Sequence, residues 1–378
     1  MSQHVLVTGG AGFIGSHLIP KLIAAGHRVR VMDSLTAQVH GTIPVGLDWL
    51  QGEGIEFIRA DVTIREDWQR VLGGIDVVVH LAAETGTGQS MYEIARYNEV
   101  NSQGTALLFD VLGKLPEHQV KRVVLSSSRS IYGEGAYRHP VTGARVYPGA
   151  RTAEQLREQR WDPVCSESGM ALELVATRED DLISPASIYA ATKYAQEDLV
   201  RIGCQAMGLG YAILRLQNVY GERQSLNNPY TGILSIFSTK IRRDTQLPLF
   251  EDGAESRDFV HVDDVTDALL AAVIVAEAPN TAINVGSGLA TSVEEVASEL
   301  CRAFDKAPNV TVTGQFRVGD IRHNYADIDR LQRLLGVTPK VSLAAGLRRF
   351  ADWVCSQPLP EDQLEKANRE LRERKLMN

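Results

Sequence analysis

The segment Gly9-Gly-Ala-Gly12-Phe13-Ile14-Gly15 constrains this chain more than any other part of it. It follows His4 to Thr8, which reads as a strand, and precedes an amphipathic stretch that reads as a helix to about Ala25, stopped by Gly26. Glycines between a strand and a helix let the backbone turn tightly, approach a pyrophosphate and pack helix on strand. The helix N-terminus adds free N–H groups and a partial positive charge for the phosphates. Glycines alone would mark no more than a tight turn. The strand before them and the helix after them make this a nucleotide-binding loop. Asp33 follows directly on the next strand, Arg28 to Met32. A carboxylate there accepts hydrogen bonds from the adenosine ribose hydroxyls and repels a 2′-phosphate, which favours NAD over NADP. Arg30, in the same region, reads as a surface residue.

The alternation continues. Phe57 to Ala60, Val77 to Leu81 and Arg122 to Leu125 are short strand-like runs with helical stretches between them. This order predicts right-handed βαβ units and an α/β fold with a doubly wound parallel Rossmann sheet. Asp76-Val-Val-Val-His-Leu81 is nearly all apolar, as expected for a strand covered on both faces. Residues 134–187 break the pattern. They are rich in Arg, Glu, Gly and Pro, show no steady periodicity, and read as an inserted ribbon-like loop. Helical character returns from Tyr189 to about Met207, and a strand follows at Tyr211 to Leu216. A chain of 378 residues is long for one core. The expected division is a NAD-binding domain over 1–217 with the insertion at 134–187, and a smaller α/β substrate domain over 218–357. A charged helical tail over 358–378, with Leu364 and Leu371 seven apart, reads as a solvated helix packing one thin edge.

Composition removes other classes. The 44% hydrophobic and 23% charged residues are those of a folded globular protein. A net charge of −8 argues against nucleic-acid partners and polybasic membrane binding, which need a cationic surface. The longest apolar run, near Ala268 to Ala276, falls short of the roughly 20 residues that span a bilayer. No basic flank precedes the first apolar stretch, so no signal peptide is expected. Cys165, Cys204, Cys301 and Cys355 are scattered and form no CxxC, which fits a reducing, cytoplasmic setting without disulfides.

Ser126-Ser-Ser128 before Tyr132-Gly133, and Tyr189-Ala-Ala-Thr-Lys193, join the glycine loop in a set that resembles the extended short-chain dehydrogenase/reductase family of nucleotide-sugar enzymes. The resemblance runs through Leu81-Ala-Ala83, Arg215-Leu-Gln-Asn218-Val-Tyr-Gly221, Arg257-Asp-Phe-Val-His261-Val-Asp-Asp264 and Arg317-Val-Gly-Asp320, in that order. It implies a cofactor site of Gly9, Gly12, Phe13, Ile14, Gly15 and Asp33, extended by Asp61 and Val62 beside the adenine. Leu81, Ala82 and Ala83 would lie behind the pyrophosphate, Asn101 close by, and Tyr189 and Lys193 on the nicotinamide ribose side. The resemblance also implies Ser128, Tyr189 and Lys193 as catalytic residues. A nucleotide-diphosphate sugar would meet Ser128, Arg129, Tyr189, Asn218, Arg257, Arg317 and Asp320. Arg257 and Arg317 would bind the pyrophosphate, with Asp320 positioning Arg317 or a ribose hydroxyl. In the family, helices matching Asn101 to Leu115 and Ala190 to Met207 pair with their copies, which implies a homodimer. Ala191, Ala195 and Leu199 leave a stripe at helical spacing.

The chemistry explains the residue types. Oxidising a sugar hydroxyl removes its proton as hydride leaves carbon. A tyrosine, with an ordinary pKa of about 10, does this only when partly ionised. Lys193 stands four residues on, on the same helix face, and its charge with that of the nicotinamide favours the phenolate. Ser128 would hydrogen-bond the reacting oxygen. After Ser128 stand Arg129-Ser130, where the 4,6-dehydratases carry Asp-Glu and the sugar-acid decarboxylases usually carry Glu second. No cysteine stands near, as it does in the fucose-type 3,5-epimerase/reductases. Reversible hydride transfer remains, as in a 4-epimerase, and Asp33 favours that over an NADPH-consuming reductase. A finer resemblance is carried by Asp33-Ser-Leu-Thr-Ala-Gln38-Val-His40-Gly41, by Ser127-Ser-Arg129-Ser-Ile-Tyr-Gly-Glu134-Gly135-Ala-Tyr137 and by the loop ending in Trp161-Asp-Pro. It is to bacterial dTDP-L-rhamnose 4-epimerases, which form dTDP-6-deoxy-L-talose. The alternatives are a UDP-hexose 4-epimerase and, in another class, a non-catalytic NAD-binding regulator. The presence of both Tyr189 and Lys193 speaks against the regulator.

Relatives of the rhamnose type often carry two CxxCG knuckles in the insertion, a spacing suited to tetrahedral zinc. Here the stretches read His139-Pro-Val-Thr142-Gly143 and Cys165-Ser-Glu-Ser168-Gly169. Hydroxyls stay protonated at neutral pH, and two good ligands do not close a structural site. The expectation is a metal-free ribbon, held by apolar contacts such as Val146, Tyr147 and Trp161, at the mouth of the active site.

Overall fold

The computed structural model describes residues 2–41, 44, 46–226, 232–317, 320–359, 364–374 and 377. Six of the expected runs form strands: β1 (His4–Thr8), β2 (Arg28–Asp33), β3 (Ile55–Arg59), β4 (Val77–His80), β5 (Arg122–Ser128) and β6 (Gly210–Leu216). With a seventh, β7 (Thr281–Val285), they make one sheet of order β7-β6-β5-β4-β1-β2-β3. Every neighbouring pair in it is parallel.

Strand side chains alternate between faces, and each face is covered by helices. On one, Val5, Val7, Val29, Val31, Val77 and Val79 pack with Leu18, Ile19 and Leu22 of α1 (Phe13–Ala24). On the other, Leu6, Met32, Val78 and Val123 pack with Trp68 of α2 (Arg65–Val71) and Leu108 and Leu112 of α3 (Gly104–Leu112). α4 (Ile188–Met207) covers the same face through Val200 and Cys204. The strand order reverses between β1 and β4. Thr8 stands level with Met32 on one neighbour and His80 on the other, so a crevice opens at these carboxyl ends.

The expected division of the chain differs in one respect. β7 lies within 218–357 yet completes the cofactor sheet. α5 (Val262–Ile274) places Val265, Ala268, Leu269 and Ala272 in the same core as α1. A boundary at 217 therefore cuts the cofactor layer. The rest of that stretch has a core of its own around Leu234, Phe237, Phe259, Leu300, Leu347 and Phe350. No helix among the described residues is long and apolar enough to cross a membrane.

Three two-residue strands, Tyr137–Arg138, Arg145–Val146 and Glu173–Leu174, pair antiparallel as a ribbon in the insertion. Both knuckles close: Gly143 N donates to His139 O at 2.9 Å, and Gly169 N to Cys165 O at 2.8 Å. His139 Nε2 lies 3.3 Å from Ser168 Oγ, so the two knuckles meet. Among the described residues no three His, Cys, Asp or Glu side chains are grouped to hold a metal ion. The purified protein is expected to carry no stoichiometric zinc, and elemental analysis finding one zinc per chain would overturn this.

What anchors the ribbon differs from the expectation. Trp161 does pack on Phe316, with ring centroids 6.3 Å apart. Val146 is only half-buried, and Tyr147 gives its hydroxyl to Asp181 at 2.8 Å. The firmer anchor is charge. Buried Arg151 donates to Glu134 at 3.3 Å, to both Glu251 oxygens at 2.8 Å, to Trp161 O at 3.0 Å and to Asp320 O at 2.9 Å. Arg322 joins this cluster through Glu251, Asp252 and Asp162. Ala136, Tyr137, Leu156 and Cys165 are buried as well, so apolar contacts and the ion network together attach the ribbon.

The tail forms the helix Leu364–Glu373; the side chains of Leu364 and Leu371 lie outside the described residues. Asn368 of this helix and Met377 beyond it are buried.

Candidate active site

The glycine loop is built for close approach. Gly9 has φ +66°, and a Cβ there would stand 2.8 Å from Ala82 Cα. A Cβ on Gly15 would stand 2.3 Å from Gly10 O, so α1 meets the loop at contact distance. Gly12 caps α1 without a side-chain bond, which leaves the amides at Phe13 and Ile14 without a capping side chain. The Asp33 carboxylate accepts the N–H groups of Ala11 at 3.0 Å and Leu35 at 2.9 Å, with His40 at 3.7 Å. Burial pushes it above the usual carboxylate range, and these neighbours work against that. Arg30 points elsewhere, to Glu56 at 2.7 Å and the carbonyls of Val71 and Gly73.

Asp61 accepts both the N–H and the hydroxyl of Thr63 at 2.8 Å, and Val62 lies buried under Gly104. The turn Leu81-Ala82-Ala83 hangs on Thr8: Leu81 N donates to Thr8 O at 3.1 Å and Ala82 N to Thr8 Oγ1 at 3.2 Å. Asn101 sits behind this turn. Its amide holds Glu84 N at 2.8 Å, Glu84 O at 3.1 Å and Thr192 Oγ1 at 3.0 Å, and it is fully buried. It braces the cofactor turn where the resemblance suggested a contact. The cradle that any Cβ would fill, the uncapped helix start and the placed carboxylate together fit NAD.

At the sheet's other side, Ser187 caps α4 through Ala190 N at 3.2 Å and sets Tyr189 and Lys193 on one face. The Tyr189 hydroxyl meets Ser128. Burial raises the phenol's pKa, while Ser128 and the charge of Arg129 lower it. Lys193 stands one helical turn further along the same helix. It donates a hydrogen bond to Gln196 Oε1 at 2.7 Å, and burial pulls its pKa down to about 7. Arg129 is also pulled down, to about 9, by burial and by Arg257. Ser128 Oγ accepts Ser130 N at 3.2 Å and lies 3.0 Å from Ser130 Oγ. Arg129 Nε donates to Asn218 Oδ1 at 3.2 Å.

Arg129, Asn218 and Phe259 line both this reactive end and an adjoining cleft of about 260 Å³. Arg257, Arg317 and Asp320 line the cleft beside Phe250 and Phe316. Arg257 is fixed by the carbonyls of Ser256, Ile321 and Arg322. Asp320 pairs with Arg257 at 3.8 Å; the resemblance offered it Arg317 or a ribose hydroxyl. Arg317 is drawn the other way, over the Phe250 ring at 4.9 Å and onto tail residue Asn368 at 3.1 Å. Val318 and Gly319 of that motif lie outside the described residues.

Three residues of the region were not singled out from the sequence: Gln196, Asn368 and Glu255. Glu255 lines the cleft, and burial pushes its carboxyl up to about 7. Gln196 alone was findable, because three residues from Lys193 on a helix is a contact spacing.

The sequence matches the NAD dependent epimerase/dehydratase family over residues 5–153 and 165–286. It is 41% identical to a dTDP-L-rhamnose 4-epimerase of Burkholderia thailandensis, over 94% of this chain and 96% of that one. It is 30% identical to a UDP-glucose 4-epimerase of Mycolicibacterium smegmatis, over 93% and 98%. The fold superposes with a TM-score of 0.74 on a UDP-glucuronic acid 4-epimerase from Bacillus cereus in complex with UDP-glucuronic acid and NAD, at 26% identity over 93% and 99% of the chains.

Proposed function

The chain belongs to the NAD dependent epimerase/dehydratase family, and within it we propose a 4-epimerase that interconverts dTDP-L-rhamnose and dTDP-6-deoxy-L-talose. That it is an NAD-dependent nucleotide-sugar epimerase follows from the family and its relatives. The carrying observation for position 4 is the reactive end itself. Ser128 and Tyr189 meet there, and among the described residues lining it there is no Asp, Glu, His or Cys. Expelling a hydroxyl needs such an acid and base, whereas inversion through a 4-keto sugar does not.

When bound, NAD supplies the reversible removal and return of a hydride at the sugar carbon. Gly9, Gly12, Phe13, Ile14 and Gly15 would hold its pyrophosphate, Asp33 its adenosine ribose, and Asp61 and Val62 its adenine, with Leu81 to Ala83 as a wall. Tyr189 takes the proton of the C4 hydroxyl and gives it back. Ser128 holds the reacting oxygen, and the charge of Arg129 favours the phenolate. Lys193 would reach the nicotinamide ribose. Asn218, Arg257 and Arg317 would bind the diphosphate, with Asp320 holding Arg257. The rhamnose reading is supported by the 41% identity over nearly the whole length.

The test is a panel of dTDP-L-rhamnose, UDP-glucose and UDP-galactose, followed by NMR for C4 inversion and by absorbance for NADH. Inversion of the dTDP sugar without net NADH is expected. Inversion of the UDP sugars alone would replace the substrate, and loss of water would replace the reaction.

The same reading includes a homodimer. Ala191 and Ile202 of α4 are exposed, Ala195 and Leu199 half-buried, so the stripe faces away from the chain's own sheet. Together with Ala106, Leu107 and Phe109 of α3 these helices border a shallow apolar hollow. Light scattering at micromolar concentration should give twice the mass of the chain; a monomer mass would count against the pairing.

A further inference from the structure

Beneath the reactive end lies a buried polar network that the chemistry above does not use. From Lys193 it passes to Gln196 Oε1 at 2.7 Å. Gln196 Nε2 donates to Thr105 Oγ1 at 2.7 Å and lies 3.4 Å from His80 Nε2. Thr105 Oγ1 donates to Asn101 O at 2.7 Å, and His80 Nδ1 stands 2.7 Å from Thr8 Oγ1. Thr8 Oγ1 is the group that accepts Ala82 N. Lys193 is 2% exposed, and Gln196, His80, Thr105 and Thr8 are fully buried. The network thus connects α4 and α3 to the ends of β4 and β1, and it finishes on the turn that flanks the glycine loop.

The amide of Gln196 has one satisfactory arrangement. Protonated Lys193 has three donors and no acceptor, so in that form only Oε1 can face it. Turned end for end, the NH₂ would oppose the ammonium. The oxygen would then face Thr105, whose hydroxyl proton already goes to Asn101 O. One ammonium proton is therefore fixed in direction, and tetrahedral geometry limits where the other two point. His80 offers no competing charge, because burial holds it neutral, down to about 3.

We propose that Gln196 is a positioning residue for the epimerase reaction: its amide aims the Lys193 ammonium and ties that aim to the Leu81–Ala83 turn. The proposal rests on the reading of Tyr189 and Lys193 given above. Gln196 lines neither part of the substrate cleft, so its effect falls on turnover and not on sugar binding.

The experiment compares Gln196→Met, close in shape but without the amide, with Gln196→Glu, which keeps an acceptor for the ammonium. Both are assayed at saturating NAD beside the parent and Tyr189→Phe. The expected result is a kcat at least about tenfold lower for the Met variant, with the KM for the nucleotide sugar unchanged and most of the loss restored in the Glu variant. A Met variant with parental kcat overturns the proposal. So do Met and Glu variants that are equally slow, since that marks packing alone. If the Met variant does not fold, Thr105→Val decides: it removes the acceptor that orients the amide, and parental turnover there overturns the proposal. Tyr189→Phe separates the two levels. Full activity in that variant sinks the reading of the site, whereas a slow Tyr189→Phe beside a fast Gln196→Met sinks only the positioning role.

Discussion

Replacing Tyr189 by phenylalanine is expected to lower turnover by about 10²–10⁴-fold, the usual contribution of one positioned proton-transfer group. The substitution removes only the hydroxyl that meets Ser128. It leaves the glycine loop, Asp33 and the Leu81–Ala83 turn untouched, so NAD should still be released in full on denaturing the variant. Sugar binding should also persist, because Arg257 and Arg317 are fixed by carbonyls, a ring and Asn368, independently of Tyr189. Activity near that of the parent, measured by C4 inversion, would remove Tyr189 from the mechanism.

The second large effect is on stability. Arg151→Met should destabilise the protein by about 3–5 kcal/mol, the cost of breaking a buried ion pair by removing one partner. Glu134 and Glu251 would be left facing each other's charge in a buried setting, with Trp161 O and Asp320 O losing their donor. The loss of the bond to Asp320 O should also loosen the cleft wall around Arg257, so the KM for the nucleotide sugar should rise while NAD content stays full. Denaturant melts and initial rates measure both. A melt unchanged from the parent would show that the network adds nothing net to the fold.

Most of the sheet and half of the site were legible from local pattern. Val77 to Val79 declare a two-sided strand by being apolar without a break, and Tyr189 and Lys193 declare a shared helix face by their spacing. The features that were not legible depend on partners distant in sequence. Nothing in Thr281–Val285 tells that it pairs with β6 rather than with a second sheet. Arg151 and Glu251 are 100 residues apart, and each alone reads as a solvated charge. Lys193 was expected to act on Tyr189 because their spacing allows it. In the structure the Lys193 side chain donates a hydrogen bond to Gln196 Oε1, because a buried charge demands an acceptor. The resemblance offered Asp320 either Arg317 or a ribose hydroxyl; its ion pair is with Arg257, while Phe250 and Asn368 hold Arg317.

The return of β7 to the sheet bears on how this molecule can be re-engineered. An exchange of residues 218–357 for those of a relative with another sugar preference would replace an edge strand and α5 as well as the cleft. A fragment ending at 217 would leave β6 with an open row of N–H and C=O groups and would strip Val265, Leu269 and Ile283 from the core that backs α1. The cofactor half is therefore not a removable module. Changes of substrate preference are better grafted loop by loop onto an intact chain.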